Sequence, residues 1–527
     1  MPLGPGLGVR GWLGAALLAA TVLASGCAML PADFERQPSS AITASAETTL
    51  GRIVKASSPD PDLSGFRLMA GGDFALDTRL QLARRAERTL DVQYYQIEND
   101  DTGRYFLRTL RDAALRGVRV RLLLDDFNSA GAEPLLEALV GEPNLEIRVF
   151  NPFCCARRSL PGRIATSLGD LPRLDHRMHN KLMIADGALA IVGGRNIADE
   201  YFGRSPVANF IDLDAIAAGR VVPQLGVLFD RYWNSEESFP VEALVRPPSP
   251  LAEGAATLAQ LLPANAARIE LALPTVDLLG REPVGKELAA NRLSLVPGLA
   301  YGVADLPSKR LQIGDELESH SLMAGAVSQM LGTRDELVVS SPYLVPGTRG
   351  MAVLHSLQRK GVDITLVTNS LSANDSALVY LGYARYRQPI LRAGVKLYEV
   401  SAQPPASTTR PFFSGSSRGR LHAKLAVIDR EVVLLGSLNL DPRSARRNTE
   451  LGVAIDSPAL AQEALRLLEA MKSEAYGVRL GAQGDVLSWV LPAAGEQDQG
   501  VDIEPGASPL SALQRMLLQP LVPEDLL

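Results

Sequence analysis

Cysteine is scarce in this chain, with three in 527 residues. Cys154 and Cys155 are adjacent and Cys27 lies near the start. A disulfide framework needs more cysteines at wider spacing, so Cys154 and Cys155 read as small loop or buried residues. Metal-binding clusters are also missing. His176 and His179 are three apart, but no matching pair lies elsewhere, and a zinc site wants four N, S or O ligands. No metal and no cofactor is expected. Excess positive charge is absent too: 53 Lys and Arg stand against 59 Asp and Glu, for a net charge of −6. A nucleic-acid enzyme is more often basic, so this balance argues against a nucleic-acid partner while leaving room for a local basic groove. Nothing in the sequence identifies a protein partner.

Long apolar runs are lacking as well. The run Trp12 to Val22 falls short of the ~20 residues that span a bilayer. It follows a short stretch whose sole basic residue is Arg10 and precedes Leu23-Ala24-Ser25-Gly26-Cys27. Residues 1–27 therefore read as a lipoprotein signal peptide, with Cys27 lipidated as the first mature residue. The rival reading is an uncleaved anchor. Both put the globular part outside the cytoplasm, at a membrane; the lipoprotein reading anchors it by lipid on the periplasmic side. Ala28, where Asp would retain the protein in the inner membrane, favours the outer one.

What the chain does have is a repeat. His179 to Asn196 reads His-Asn-Lys-Leu-Met-Ile-Ala-Asp-Gly-Ala-Leu-Ala-Ile-Val-Gly-Gly-Arg-Asn. His422 to Asn439 reads His-Ala-Lys-Leu-Ala-Val-Ile-Asp-Arg-Glu-Val-Val-Leu-Leu-Gly-Ser-Leu-Asn. His, Lys, Asp, Gly and Asn fall at the same offsets, which marks an internal duplication. The spacing reads as a β-hairpin. His179 and Lys181 share a strand face, Asp186-Gly187 signals the turn, and Gly193-Gly194 let backbone approach a neighbour or ligand. Asn196 is returned beside His179 and Lys181. The second copy supplies His422, Lys424, Asp429 and Asn439. Asp186 and Asp429 fit turn structure and catalytic support equally.

These groups suit displacement at phosphorus. One imidazole serves as nucleophile, Lys and Asn hold the phosphate oxygens, and a second imidazole protonates the departing alkoxide. Each copy has one such His, so the mechanism requires the copies to meet. His179 is taken as nucleophile and His422 as acid, although symmetry does not order them. His176, His320 and His355 lie outside this pattern and read as structural.

The paired His-x-Lys-x4-Asp-x6-Gly-x-x-Asn pattern resembles the phospholipase D superfamily. Leu90–Tyr95, Arg116–Asp126, Val192–Ile197, Leu366–Leu371, Gly382–Arg385 and Asp441–Ser444 are similar to the C-type bacterial cardiolipin synthases. The similarity runs from about residue 65 to 490. It implies metal-free catalysis and a phosphatidyltransferase working through a covalent phosphatidyl-histidine. It further implies phosphatidylglycerol as acceptor and work at a membrane surface, while the donor, phosphatidylglycerol or phosphatidylethanolamine, is left open. The same site would let water resolve the intermediate, giving a phospholipase D that releases phosphatidic acid. More distant readings are an exported nuclease and a lipoprotein scaffold with a dead site.

A duplicated site should have duplicated supports. Registering the halves on Gly-x-x-Asn aligns Asp212 with Glu450. A carboxylate on the far imidazole nitrogen would orient each His, and the superfamily pattern implies the same role. Asp214 is the rival to Asp212. Arg195, Arg204, Arg443, Arg446 and Arg447 suit either phosphate contact or a solvated basic rim.

Strand and helix patterns alternate twice along the chain, the second pass including a longer helix over Leu378 to Leu391. The expected fold is α/β, with two similar phospholipase D-like lobes packed about a pseudo-two-fold. Each lobe would be a mixed sheet flanked by helices, with the active site between them. The expected boundaries are a tether at 28–64, the first lobe at 65–240, a surface connector at 241–320 and the second lobe at 321–490. A tail at 491–527 follows, with a short amphipathic helix after Ser508.

Overall fold

The computed structural model describes residues 30–31, 34–57, 60–245, 260, 271, 273–312, 321–403, 417–481, 487–490, 500–508 and 523. The signal segment with Cys27, His320 and the expected tail helix after Ser508 lie outside the described residues.

The first half contributes nine strands: β1 (Ser64–Met69), β2 (Thr89–Tyr94), β3 (Arg119–Asp125), β4 (Leu145–Phe150), β5 (Leu182–Ala185), β6 (Leu189–Gly193), β7 (Ala208–Ile211), β8 (Asp214–Gly219) and β9 (Ser238–Pro240). After β10 (Val296–Ala304) the second half adds nine more: β11 (Glu336–Ser340), β12 (Asp363–Asn369), β13 (Lys396–Val400), β14 (Arg418–Leu421), β15 (Leu425–Ile428), β16 (Val432–Gly436), β17 (Leu451–Asp456), β18 (Ala475–Leu480) and β19 (Leu487–Val490).

Pairing orders the first lobe β9-β4-β3-β2-β5-β6-β8-β1. The second lobe runs β19-β18-β13-β12-β11-β15-β16-β17. In both, three parallel strands meet the antiparallel hairpin that carries the repeated motif, as βαβ crossovers and tight turns require. The mixed α/β, two-lobed architecture expected from the sequence is therefore present.

β10 joins the lobes. Its first residues pair with β1 and the rest with β17, so one sheet runs through both halves. It lies in the stretch read as a surface connector. A signal was available: Gly298, Ala300, Gly302 and Ala304 alternate with Leu299, Tyr301 and Val303. The small residues let helix Val221–Trp233 lie close, with Leu225 and Leu228 against Gly302. That helix and helix Pro458–Lys472 share one apolar core with β1, β6, β15 and β17.

Residues 34–57 are packed structure rather than a tether. The Ala41 amide donates to Asp230 at 2.8 Å and Arg121 donates to the Ser39 carbonyl at 3.0 Å. Helix Thr49–Ser57 buries Leu50, Ile53 and Val54, an i, i+3, i+4 stripe that only a core can satisfy. The helix expected over Leu378–Leu391 is split into Ala377–Ala384 and Arg387–Arg392. The ring of Pro389 would clash with the carbonyl of Arg385, four residues back, in a continuous helix.

Candidate active site

The two motif histidines do not lie in regular strands. Residues 179–181 precede β5, and 422–424 fill the gap between β14 and β15. Each gap is where the chain stops pairing with the opposite lobe and enters its own hairpin. β14 pairs in parallel with β7, and the His422 amide continues that ladder by donating to the Ile211 carbonyl at 2.8 Å. On the other side Met178 bridges Thr449, and the His179 amide donates to the Thr449 carbonyl at 2.9 Å.

Because Ile211 and Thr449 immediately precede the two acids, this pairing crosses the supports. His179 Nδ1 lies 2.9 Å from Glu450 Oε2 of the second lobe. His422 Nδ1 lies 2.6 Å from Asp212 Oδ2 of the first. All four residues are buried. Asp214, the rival to Asp212, instead takes Arg79 at 2.9 Å and Arg195 at 3.1 Å. Arg195 is spent on that carboxylate and on four backbone carbonyls, so it is structural and reaches no ligand. Arg443 and Arg447 both pair with Asp175, and Arg204 pairs with Asp199 at 3.7 Å.

Lys181 Nζ donates to the His179 carbonyl at 2.7 Å and Lys424 Nζ to the His422 carbonyl at 2.6 Å. Each ammonium also feels both carboxylates. Lys424 acts on His179 and Lys181 on His422. The two copies therefore form one electrostatic cluster. Asn196 donates to the Tyr201 hydroxyl at 2.9 Å. Asn196 and Asn439 each retain a buried Oδ1 acceptor with no partner; it is the Nδ2 group of each amide, a donor, that can hold a phosphate oxygen.

Asp186 and Asp429 do not belong to this cluster, which corrects their place among the catalytic candidates. Each sits in the turn at the far end of its hairpin strand, at φ 53° and 50°. The Asp186 carboxylate accepts the successive backbone amides of Glu87, Arg88 and Thr89 where the chain enters β2. Asp429 does the same for Arg334, Asp335 and Glu336 at the start of β11. Motif spacing could not separate turn from catalysis; the three waiting amides do. Gly194, by contrast, serves the site: a Cβ there would meet Asp212 Oδ1 at 2.1 Å.

Several contributors were not singled out from sequence. Tyr95 stands edge-on to His179, and Tyr201 and Phe210 flank His422. Ser437 and Ser444 both donate to Glu450. Ser437 lies within the second motif and Ser444 closes the Asp441–Ser444 stretch that carries the family resemblance, but neither had a role assigned. His176 is structural as expected, with both ring nitrogens 2.7 Å from the carbonyls of Arg447 and Pro307.

Burial sets the protonation states. It pushes His179 down to about 4, with Glu450 opposing. His422 is lowered by burial and by Lys424, with Asp212 opposing. Burial also lowers Lys181 and takes Lys424 down to about 8. Burial alone would raise both acids. The His422 ring, Lys424 and Arg195 outweigh it at Asp212, and His179, Lys181 and Ser437 outweigh it at Glu450, so both stay below the usual carboxylate range. The site at rest is two neutral imidazoles, each seated on an ionised carboxylate, beside amines ready to meet an anion. Among the described residues no group of side chains could hold a metal ion.

The chain resembles known proteins over both halves. A family model described as "Cardiolipin synthase, PLD-like domain" matches twice, over residues 80–233 and 327–472. The chain is 38% identical over 424 residues to cardiolipin synthase C of Escherichia coli (strain K12), covering 79% of this chain and 86% of that protein. It is 26% identical to cardiolipin synthase A of Pseudomonas fluorescens, over 77% of this chain and 67% of that one. The crystal structure of phosphatidylserine synthase from Haemophilus influenzae Rd KW20 shares the fold, with TM-score 0.57 and 14% identity over 90% of this chain and all of that one.

Proposed function

Since this chain belongs to the cardiolipin synthase family of phospholipase D-like proteins, we propose that it is a phosphatidyltransferase that makes cardiolipin from phosphatidylglycerol. The observation that carries this reading is the crossed pair of His–carboxylate contacts, His179 with Glu450 and His422 with Asp212.

His179, neutral through burial, attacks the phosphorus of a phospholipid with Nε2. Glu450 on Nδ1 stabilises the charge that the ring acquires. The P–O bond to the head-group alcohol breaks, and His422 gives that oxygen a proton. His422 is charged for this step because the arriving phosphodiester anion and Asp212 both favour its imidazolium. Lys181, Lys424, Asn196 and Asn439 hold the non-bridging oxygens. Phosphatidyl-His179 remains. His422, now neutral, takes the proton from the head-group hydroxyl of phosphatidylglycerol, whose oxygen displaces His179. One phosphodiester replaces another, so no nucleotide is consumed. Cys27, lipidated, would hold the enzyme at the periplasmic side of a membrane, the outer one favoured. No helix among the described residues is long and apolar enough to cross a membrane.

Head-group-labelled lipids test this. Labelled phosphatidylglycerol should yield cardiolipin and free glycerol. Phosphatidic acid without cardiolipin defeats transfer and leaves hydrolysis. Free ethanolamine from labelled phosphatidylethanolamine would mark a second donor. Acid-quenched protein should carry phosphate on a His179 peptide, and phosphate on His422 would reverse the two roles.

A further inference from the structure

The lobes differ at one equivalent position. In the first, Asp214 on β8 holds Arg79 and Arg195, and Arg79 also donates to Tyr94 at 3.0 Å. All four side chains are buried. The duplication maps each onto the second lobe. Registering Gly193 on Gly436 and Asp212 on Glu450 places Leu438 at Arg195 and Gly452 at Asp214. Registering the amides held by Asp186 on those held by Asp429 places Ala326 at Arg79 and Ser341 at Tyr94. Two arginines and a carboxylate have become leucine, alanine and glycine.

A cavity of about 280 Å³ occupies the space, walled by Ala326, Leu438, Gly452, Tyr301, Leu434 and Lys424. Among its described lining residues Lys424 is the only charged one. The cavity lies beside the catalytic groups: Lys424 belongs to the histidine cluster, and Leu438 and Leu440 of the wall flank Asn439. Towards solvent, β10 presents Leu299, Tyr301 and Val303, 58%, 45% and 36% exposed, on a strand face where polar residues would be ordinary. In the first lobe Ile191 and Ile216, the counterparts of wall residues Leu434 and Ala454, lie sealed in the core with Leu50, Ile53 and Val54 of helix Thr49–Ser57.

We propose that this cavity is an acyl-chain site, taking part of one fatty acyl chain of the phospholipid whose phosphodiester sits at the histidines. Its size, just below the roughly 300–1,000 Å³ of small-molecule sites, suits one chain segment and excludes a whole diacyl lipid. The inference rests on the phospholipid reading above.

The test is photo-crosslinking of the full chain with phosphatidylglycerol carrying a diazirine in one acyl chain, in detergent micelles, with labelled peptides mapped. Label should fall on residues 322–331 or 296–304. Ala326→Phe, which fills the cavity, should cut it roughly tenfold, as losing one or two buried methylenes would. Gly325→Leu, on the same wall and meeting open space, is the second variant, and melting curves confirm that both fold. Transfer by Ala326→Phe should fall by a similar factor for long-chain phosphatidylglycerol and stay unchanged for the dihexanoyl lipid. Label elsewhere, or label unmoved by both variants, overturns the acyl site. Label on helix Leu322–Leu331 without any phosphatidyl transfer by the wild type overturns the transferase reading and leaves the acyl site standing.

Discussion

The two lobes carry the same motif on the same strand order, yet they support their histidines by different means. Glu450, the second lobe's acid, is held by neutral donors, Ser437 and Ser444, in addition to His179. Asp212, the first lobe's acid, accepts the Leu213 amide at 2.7 Å and lies in the field of Lys424 and Arg195. Duplication preserved the geometry of the crossed contact and let each surrounding diverge. The crossing has a consequence: neither lobe alone contains a complete His–carboxylate pair, so the site exists only when the lobes are docked.

The strongest way to break the comparison is to remove one ring at a time. His422→Ala should cost roughly 10²–10⁴-fold in transfer, the usual worth of a general acid, and His179→Ala at least as much because the covalent route is lost. Activity left intact in either would separate the copies functionally. Next come the acids. Asp212→Asn and Glu450→Gln should each lower kcat by up to roughly 10⁴-fold, as in a hydrolase triad whose orienting acid is neutralised. The decisive readout is which ring responds. Glu450→Gln should alter the titration of His179 and Asp212→Asn that of His422; a response within the same lobe would refute the crossing.

Gly194→Ala sharpens it further. Its methyl would strike the Asp212 carboxylate, so the expected loss is in kcat, with His422 the affected ring. A smaller effect is in pH. Because burial holds His179 at about 4, the acid limb of kcat/KM should fall near that pH rather than near 6.5. Glu450→Gln removes a group that raises the pKa, so the limb should move lower still. A limb near 6.5 would show that the ring is solvated. The smallest catalytic effect belongs to Asp186→Ala and Asp429→Ala. Each strands backbone amides at about 1–3 kcal/mol of stability, more at the fully buried Asp186, while kcat stays within about twofold because neither reaches substrate. Thermal melting and turnover, measured together, distinguish this from a catalytic role.

Much of the molecule was legible in the linear order of residues. Two copies of His-x-Lys and Gly-x-x-Asn announced a duplicated phosphoryl-transfer site, and alternating strand and helix periods announced the α/β lobes. Composition excluded a disulfide framework. Local rules also explain the misreadings. Pro389 forbids the long helix once the carbonyl of Arg385 is considered. The Gly-Ala alternation of 298–304 marks a strand squeezed under a helix. Leu50, Ile53 and Val54 mark an apolar stripe in what passed for a tether.

Asp212 and Glu450 could be nominated from sequence as supporting acids, but not assigned to a ring. His179 and Glu450 are 271 residues apart, and His422 and Asp212 are 210 apart. Each contact is made by short parallel pairing between lobes, β14 on β7 and Met178 on Thr449. Side-chain period and motif spacing act over a few residues, so the sequence by itself determined which groups the site would contain. Only docking of the lobes decided which carboxylate each imidazole meets, because pairing between distant segments is fixed by the packing of whole sheets.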